Sequence, residues 1–146
     1  MSVTHVTPAL RRLVRERAGK CCEYCLIPEA VTWAAHTLDH IIAEKHGGTT
    51  TAENLALACT LCNSRKGSDL VSIDEQTGAI EPLFHPRQNH WTAHFQLVGG
   101  RIEPRTARGR ATSRLLRFND PNRVQERELL VASGSIREPT AYPERG

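Results

Sequence analysis

The sequence predicts a single α+β domain stapled by cysteines, and three observations lead there. Two Cys-x2-Cys pairs, Cys22/Cys25 and Cys59/Cys62, flank residues 26–58. Segments that read as strands and helices are short, and the βαβ framework on which a redox Cys-x2-Cys normally sits is not visible, which weighs against that alternative for the two pairs. A chain of 146 residues with 39% hydrophobic content, but only three Phe, two Trp and two Tyr, has room for one core and few rings to fill it. A metal staple would offset part of that deficit.

Taken in order, Thr7-Pro8 supplies an N-cap and a proline at the first helical position. Leu10, Leu13 and Val14 form one apolar stripe, and Gly19 stops the helix. From Val31 to Leu38, β-branched and aromatic residues (Val31, Thr32, Trp33, Thr37) predict a strand ending at Asp39-His40. A polar loop with Gly47-Gly48 and Thr49 to Thr51 follows, then a short apolar strand from Leu55 to Ala58. Residues from about Thr60 to Gly67 form a short helix, giving the order strand, loop, strand, helix. Asp74 to Gly78 reads as a turn between two short strands, and Trp91 to Val98 with Arg101 to Glu103 as a hairpin around Gly99-Gly100. Thr106 caps a helix running to Phe118, and Asp120-Pro121 opens another to about Leu130. Residues 1–132 form one domain. From Ser133 to Gly146 little apolar content remains, which predicts a disordered tail.

Four thiolates in two close pairs are what a tetrahedral structural Zn2+ site needs, so Cys22, Cys25, Cys59 and Cys62 are the expected ligands, with Cys21 as a substitute for Cys22. A disulfide framework would need an oxidising compartment. Nothing ahead of Arg11 and Arg12 resembles an apolar secretory core, and a cytoplasmic protein is expected. No apolar run approaches the ~18 residues of a membrane span. Net charge is only +3, yet Arg11, Arg12, Arg15 and Arg17 crowd one segment. Arg101, Arg105, Arg108, Arg110, Arg114, Arg117, Arg123 and Arg127 crowd another. Such clusters suit a polyanion, or else are solvated helix faces.

Between the knuckles the residues resemble a known family. Cys22-Glu23-Tyr24-Cys25, Asp39-His40-Ile41-Ile42, Gly47-Gly48-Thr49, Glu53-Asn54-Leu55, Cys59-Thr60-Leu61-Cys62-Asn63 and Lys66-Gly67 together are similar to the HNH endonucleases of the four-cysteine, stand-alone type found in bacteria and phages. A looser likeness continues through Leu83 to Arg87 and Trp91 to Phe95. The resemblance implies a ββα-metal (His-Me finger) core that hydrolyses phosphodiester bonds with one divalent ion, leaving a 5′-phosphate and a 3′-hydroxyl. It implies His40 as general base, Asn54 as the residue fixing the loop opposite, and Asp39 and Asn63 as ligands of the catalytic ion. Asn63 stands where many members carry the last histidine, and Ala43 where a proline is common.

The chemistry agrees with those roles. An imidazole with its ordinary pKa of about 6.5 accepts a proton at neutral pH. Two oxygen donors favour Mg2+ or Mn2+ over softer ions. Arg65 and Lys66 are expected to hold flanking phosphates. The expected partner is DNA, double-stranded, with no membrane, and a homodimer or protein partner is left open. The alternative is a zinc-knuckle nucleic-acid-binding module without catalysis. His90 and His94 are four apart, a helical metal spacing, but Trp91, Ala93, Phe95 and Leu97 alternate as in a strand.

Overall fold

A computed structural model describes residues 5–139 of the chain. Helix α1 (Pro8–Arg17) begins at Thr7, whose hydroxyl accepts from the Leu10 amide, and ends ahead of Gly19 in the left-handed region. Strands β1 (Thr37–His40) and β2 (Leu55–Ala58) pair antiparallel, Leu38 opposite Leu57 and Asp39 opposite Ala56, and helix α2 (Thr60–Lys66) follows at once. Two further antiparallel pairs, β3 (Val71–Ile73) with β4 (Ile80–Pro82) and β5 (Phe95–Val98) with β6 (Arg101–Pro104), bracket a single helical turn, α3 (Trp91–His94). Helices α4 (Ala107–Leu116) and α5 (Pro121–Ala132) complete an α+β fold. Among the described residues no helix is long and apolar enough to cross a membrane.

Strand β2 is buried along its whole length, and its alternation explains how. Leu55 and Leu57 turn to one face and meet Val14, Leu10 and Ala18 of the α1 region. Ala56 and Ala58 turn to the other, where small side chains leave space for the cysteines and rings of the main core. Burying a residue such as Leu55 contributes on the order of 1.5–3 kcal/mol. The scarce rings are gathered into that main core. Phe95 lies 5.4 Å from Phe84, 5.2 Å from Trp91 and 5.5 Å from Phe118, and Tyr24 meets Phe84 edge-on.

Several elements differ from the sequence expectation. The strand expected from Val31 is confined to Thr37–His40, because residues 29–36 fold on themselves. The Thr32 hydroxyl donates to the carbonyls of Glu29 and Ala34, and the Glu29 carboxylate takes both the His36 amide and the Arg15 guanidinium. Trp33 is consequently left fully exposed. Trp91–His94 is helical, not extended, since the Trp91 indole turns inward to donate to the Tyr24 carbonyl at 2.9 Å. Leu13 of the predicted apolar stripe faces solvent while Val14 is buried. The expected tail also begins differently, for Ile136 is buried in the main core and Glu138 accepts from the Leu97 amide. Its remainder, residues 140–146, lies outside the described residues.

The turn at Asp74 to Gly78 is closed by a buried carboxylate. Asp74 accepts from the Gln76 amide and the Thr77 hydroxyl, and both oxygens take the Arg110 guanidinium at 2.8 and 2.9 Å. The Arg110 bonds, above all, hold the Asp74 carboxyl well below the ordinary range. A depressed carboxylate stabilises the fold fully above its unfolded value of about 3.9, and that stability is lost as pH falls through the folded value. Arg110→Gln is therefore expected to lower the melting temperature at pH 7 and to flatten the further loss between about pH 4 and 2. Thermal unfolding of both proteins across that range checks it.

Candidate active site and metal centre

The four cysteines converge. Sγ atoms of Cys22, Cys25, Cys59 and Cys62 all lie within 4.8 Å of one another, and those of Cys25 and Cys59 are 3.6 Å apart. A tetrahedral zinc with bonds of about 2.3 Å places its sulfurs about 3.8 Å apart, so the donor set fits that ion. Cys21 stays outside the group, its thiol on the Gly19 carbonyl. Each knuckle is drawn tight by an amide on its first sulfur, Cys25 to Cys22 and Cys62 to Cys59, both at 3.4 Å. The second of these also makes Cys59 the N-cap of α2. Without metal, burial above all holds the Cys22 thiol high. The hydrogen-bonded sulfurs of Cys22, Cys25 and Cys59 do the same for Cys62, while bonds from Cys22, Cys25 and Cys62 keep Cys59 well below the ordinary range. A bound metal ion would displace the shared protons. Among the described residues no other group of three or more metal-ligating side chains converges, and His90 and His94 join none. The His94 ring nitrogen is bonded to Thr106.

The Asp39-His40 dyad sits at the end of β1, where successive residues face opposite ways. Asp39 turns inward and is buried. Its carboxylate accepts from the Tyr24 hydroxyl at 2.8 Å and pairs with the Lys66 ammonium at 3.2 Å. Burial outweighs these two donors and pushes the Asp39 carboxyl above its ordinary range. His40 remains half-buried, with Nε2 2.8 Å from the Thr50 hydroxyl, and that hydroxyl is 3.5 Å from the Glu44 carboxylate. Asn63 lies half-buried on α2, immediately after Cys62.

Opposite the dyad, Asn54 clasps the loop. Its Oδ1 accepts from the Ile42 amide at 2.9 Å, and its Nδ2 donates to the carbonyls of Ile42 and Thr49 at 2.9 and 2.7 Å. The clasp leaves no room at position 48, where an added Cβ would lie 1.7 Å from the Ile42 carbonyl oxygen and 2.9 Å from Asn54 Nδ2. Gly48→Ala is expected to cost about 1–3 kcal/mol and to move the Thr49–Thr50 segment off His40. A lowered melting temperature would bear this out. Unchanged melting would show that the loop yields freely.

Residues 22–69 match the family model for HNH endonucleases. No curated protein and no solved structure matches the chain. The HNH segment thus carries both cysteine pairs, the dyad, Asn54 and Asn63. Beyond it, the chain supplies the segment's supports. Arg65, expected to hold phosphate, donates instead to the Leu116 carbonyl and pairs with Asp120, tying α2 to the α4–α5 junction. Lys66, expected in the same role, is only 2% exposed and also donates to the His40 carbonyl at 3.2 Å, out of reach of a surface polyanion. The later arginine cluster is mostly spent within the protein, with Arg110 on Asp74, Arg114 on Glu75 and Arg101 on Glu103. Tyr24 and Thr50, which hold Asp39 and His40, escaped the sequence reading. Tyr24 lies inside the first knuckle, a position that hints at its contact, whereas nothing distinguishes Thr50 from its two threonine neighbours.

Proposed function

We propose that the chain is a metal-dependent endonuclease that hydrolyses DNA phosphodiester bonds. The observation that carries this reading is His40, held by Thr50 beside the buried Asp39, inside the segment that matches the HNH endonucleases. If the Thr50 hydroxyl donates to Glu44, it accepts from His40 Nε2–H, and Nδ1 keeps its lone pair for the proton of an attacking water. Asp39 and Asn63 are the proposed oxygen donors to a Mg2+ or Mn2+ ion, a donor set that suits a hard cation. Such an ion supplies charge neutralisation at the scissile phosphate and the leaving oxygen. Lys66 neutralises Asp39 in the structure and would have to give up that carboxylate for Asp39 to hold an ion. Asn54 keeps the Thr49–Thr50 loop, and through it the base, in register. Arg11 and Arg12 on α1, with Arg105 and Arg117, are exposed cations able to meet the phosphate backbone.

The test is conversion of supercoiled plasmid to nicked or linear form with Mg2+, Mn2+ or EDTA. Cutting that requires the ion supports the reading. A second reading, a nucleic-acid-binding module without catalysis, is favoured by the Lys66–Asp39 pair, which leaves that carboxylate neutralised. Salt-sensitive retardation of the plasmid without cutting under any ion would select it. On the nuclease reading, Thr50→Val is expected to slow cleavage about 10-fold through loss of one bond to the base. Thr50→Ser should restore it, and a pH–rate profile should shift in the valine variant alone.

A further inference from the structure

Arg127 is wholly buried on α5, yet no carboxylate lies within ion-pair distance of it among the described residues. Its Nε and Nη2 donate only to neutral acceptors, the carbonyls of Gly100 and Phe118 and the Asn119 amide oxygen, and its Nη1 has no hydrogen-bond partner. A buried cation without counter-charge is costly, so an anion is to be sought nearby. Burial above all lowers the Arg127 pKa, and Cys25, Cys62 and Glu126 are among the groups that oppose that shift. Arg123 lies one turn earlier on the same face of α5, its side chain 11% exposed; its Nη1 pairs with the part-exposed Glu126 carboxylate at 3.3 Å, and its Nη2 donates to Cys59 Sγ at 3.6 Å.

We infer that Arg123 and Arg127 are the outer counter-charges of the cysteine metal centre, so that α5, which lies outside the HNH segment, is docked by the metal it helps retain. Four thiolates around one divalent ion leave two negative charges, and two guanidiniums one helical turn apart face them, that of Arg123 shared between Cys59 and the part-exposed Glu126. The N–H of Arg123 lowers electron density on the Cys59 sulfur and shields that ligand from protonation, the step by which a zinc thiolate bond is lost. The inference rests on the metal-binding reading of the four cysteines and not on nuclease activity.

The experiment measures zinc release from the purified protein into excess chelator at fixed pH, for wild type, Arg123→Gln, Arg123→Lys and Arg127→Leu. The Co2+-loaded proteins supply a second readout in their thiolate-to-cobalt absorption. Arg123→Gln is expected to lose zinc about 10- to 100-fold faster and to shift the cobalt band. Arg123→Lys, which keeps the charge, should recover most of the slow release. Arg127→Leu removes buried bonds to three backbone and side-chain acceptors, so where it fails to fold the Arg123 pair carries the test. A folded Arg123→Gln with wild-type release and an unshifted band overturns the inference. Wild-type protein that takes up neither ion overturns the metal reading itself, and this outcome is distinct from the first.

Discussion

On the nuclease reading, replacing His40 with alanine is expected to lower the rate of phosphodiester cleavage about 10²- to 10⁴-fold while leaving the melting temperature and plasmid retention near wild type. The separation is possible because of what His40 does not hold. Its side chain is half-buried and is bonded to Thr50, a loop hydroxyl, whereas its carbonyl, which the substitution keeps, takes Lys66. Strand pairing opposite Leu55 is a backbone matter and survives too. Cleavage of supercoiled plasmid by wild type and variant, in parallel with thermal unfolding, gives the answer. Full activity in the variant removes His40 as the base, and a matching fall in stability would mean that the imidazole is part of the frame.

The second large effect belongs to Cys59. Cys59→Ser is expected to abolish zinc uptake and the cooperative thermal transition together. A structural zinc contributes about 10–16 kcal/mol of apparent binding free energy, comparable to or larger than the roughly 5–15 kcal/mol of net stability of a domain. The substitution is also selective. Cys59 caps α2 by accepting from the Cys62 amide, and serine is a good N-cap, so the hydroxyl can keep the cap while failing as a ligand. Zinc content by atomic absorption and unfolding by circular dichroism make the measurement. A stable, zinc-free and active Cys59→Ser protein would leave the staple without a role.

What could be read from the residues beforehand was local. The α1 cap at Thr7, the strand at Leu55 to Ala58, the helix after Cys59, the cap at Thr106 and the helix start at Pro121 follow from short-range signals that packing did not override. The misread segments were those decided by distant partners. Trp91 carries strand propensity, but the Tyr24 carbonyl claims its indole from far along the chain. Val31 and Trp33 look like strand residues until Glu29, taken by Arg15, folds the segment back. The same holds at the site. Cysteine spacing announces the metal centre because knuckle geometry is local, while Lys66 reads as a surface cation until β1 brings Asp39 beside it. Arginines look alike in sequence, and only packing separates exposed Arg117 from buried Arg127.

The joints that run from the HNH segment into the later chain bear on portability. Glu23 of the first knuckle is paired with Arg87, the Tyr24 carbonyl with Trp91, and the Tyr24 ring with Phe84. Lifting residues 22–69 out as a cassette for fusion to another scaffold would therefore cut through the core, leaving the tyrosine that grips Asp39 without the wall behind it. A transplant that keeps the chemistry has to carry Phe84 to Phe118 along with the segment, which makes this protein a poor donor of interchangeable parts.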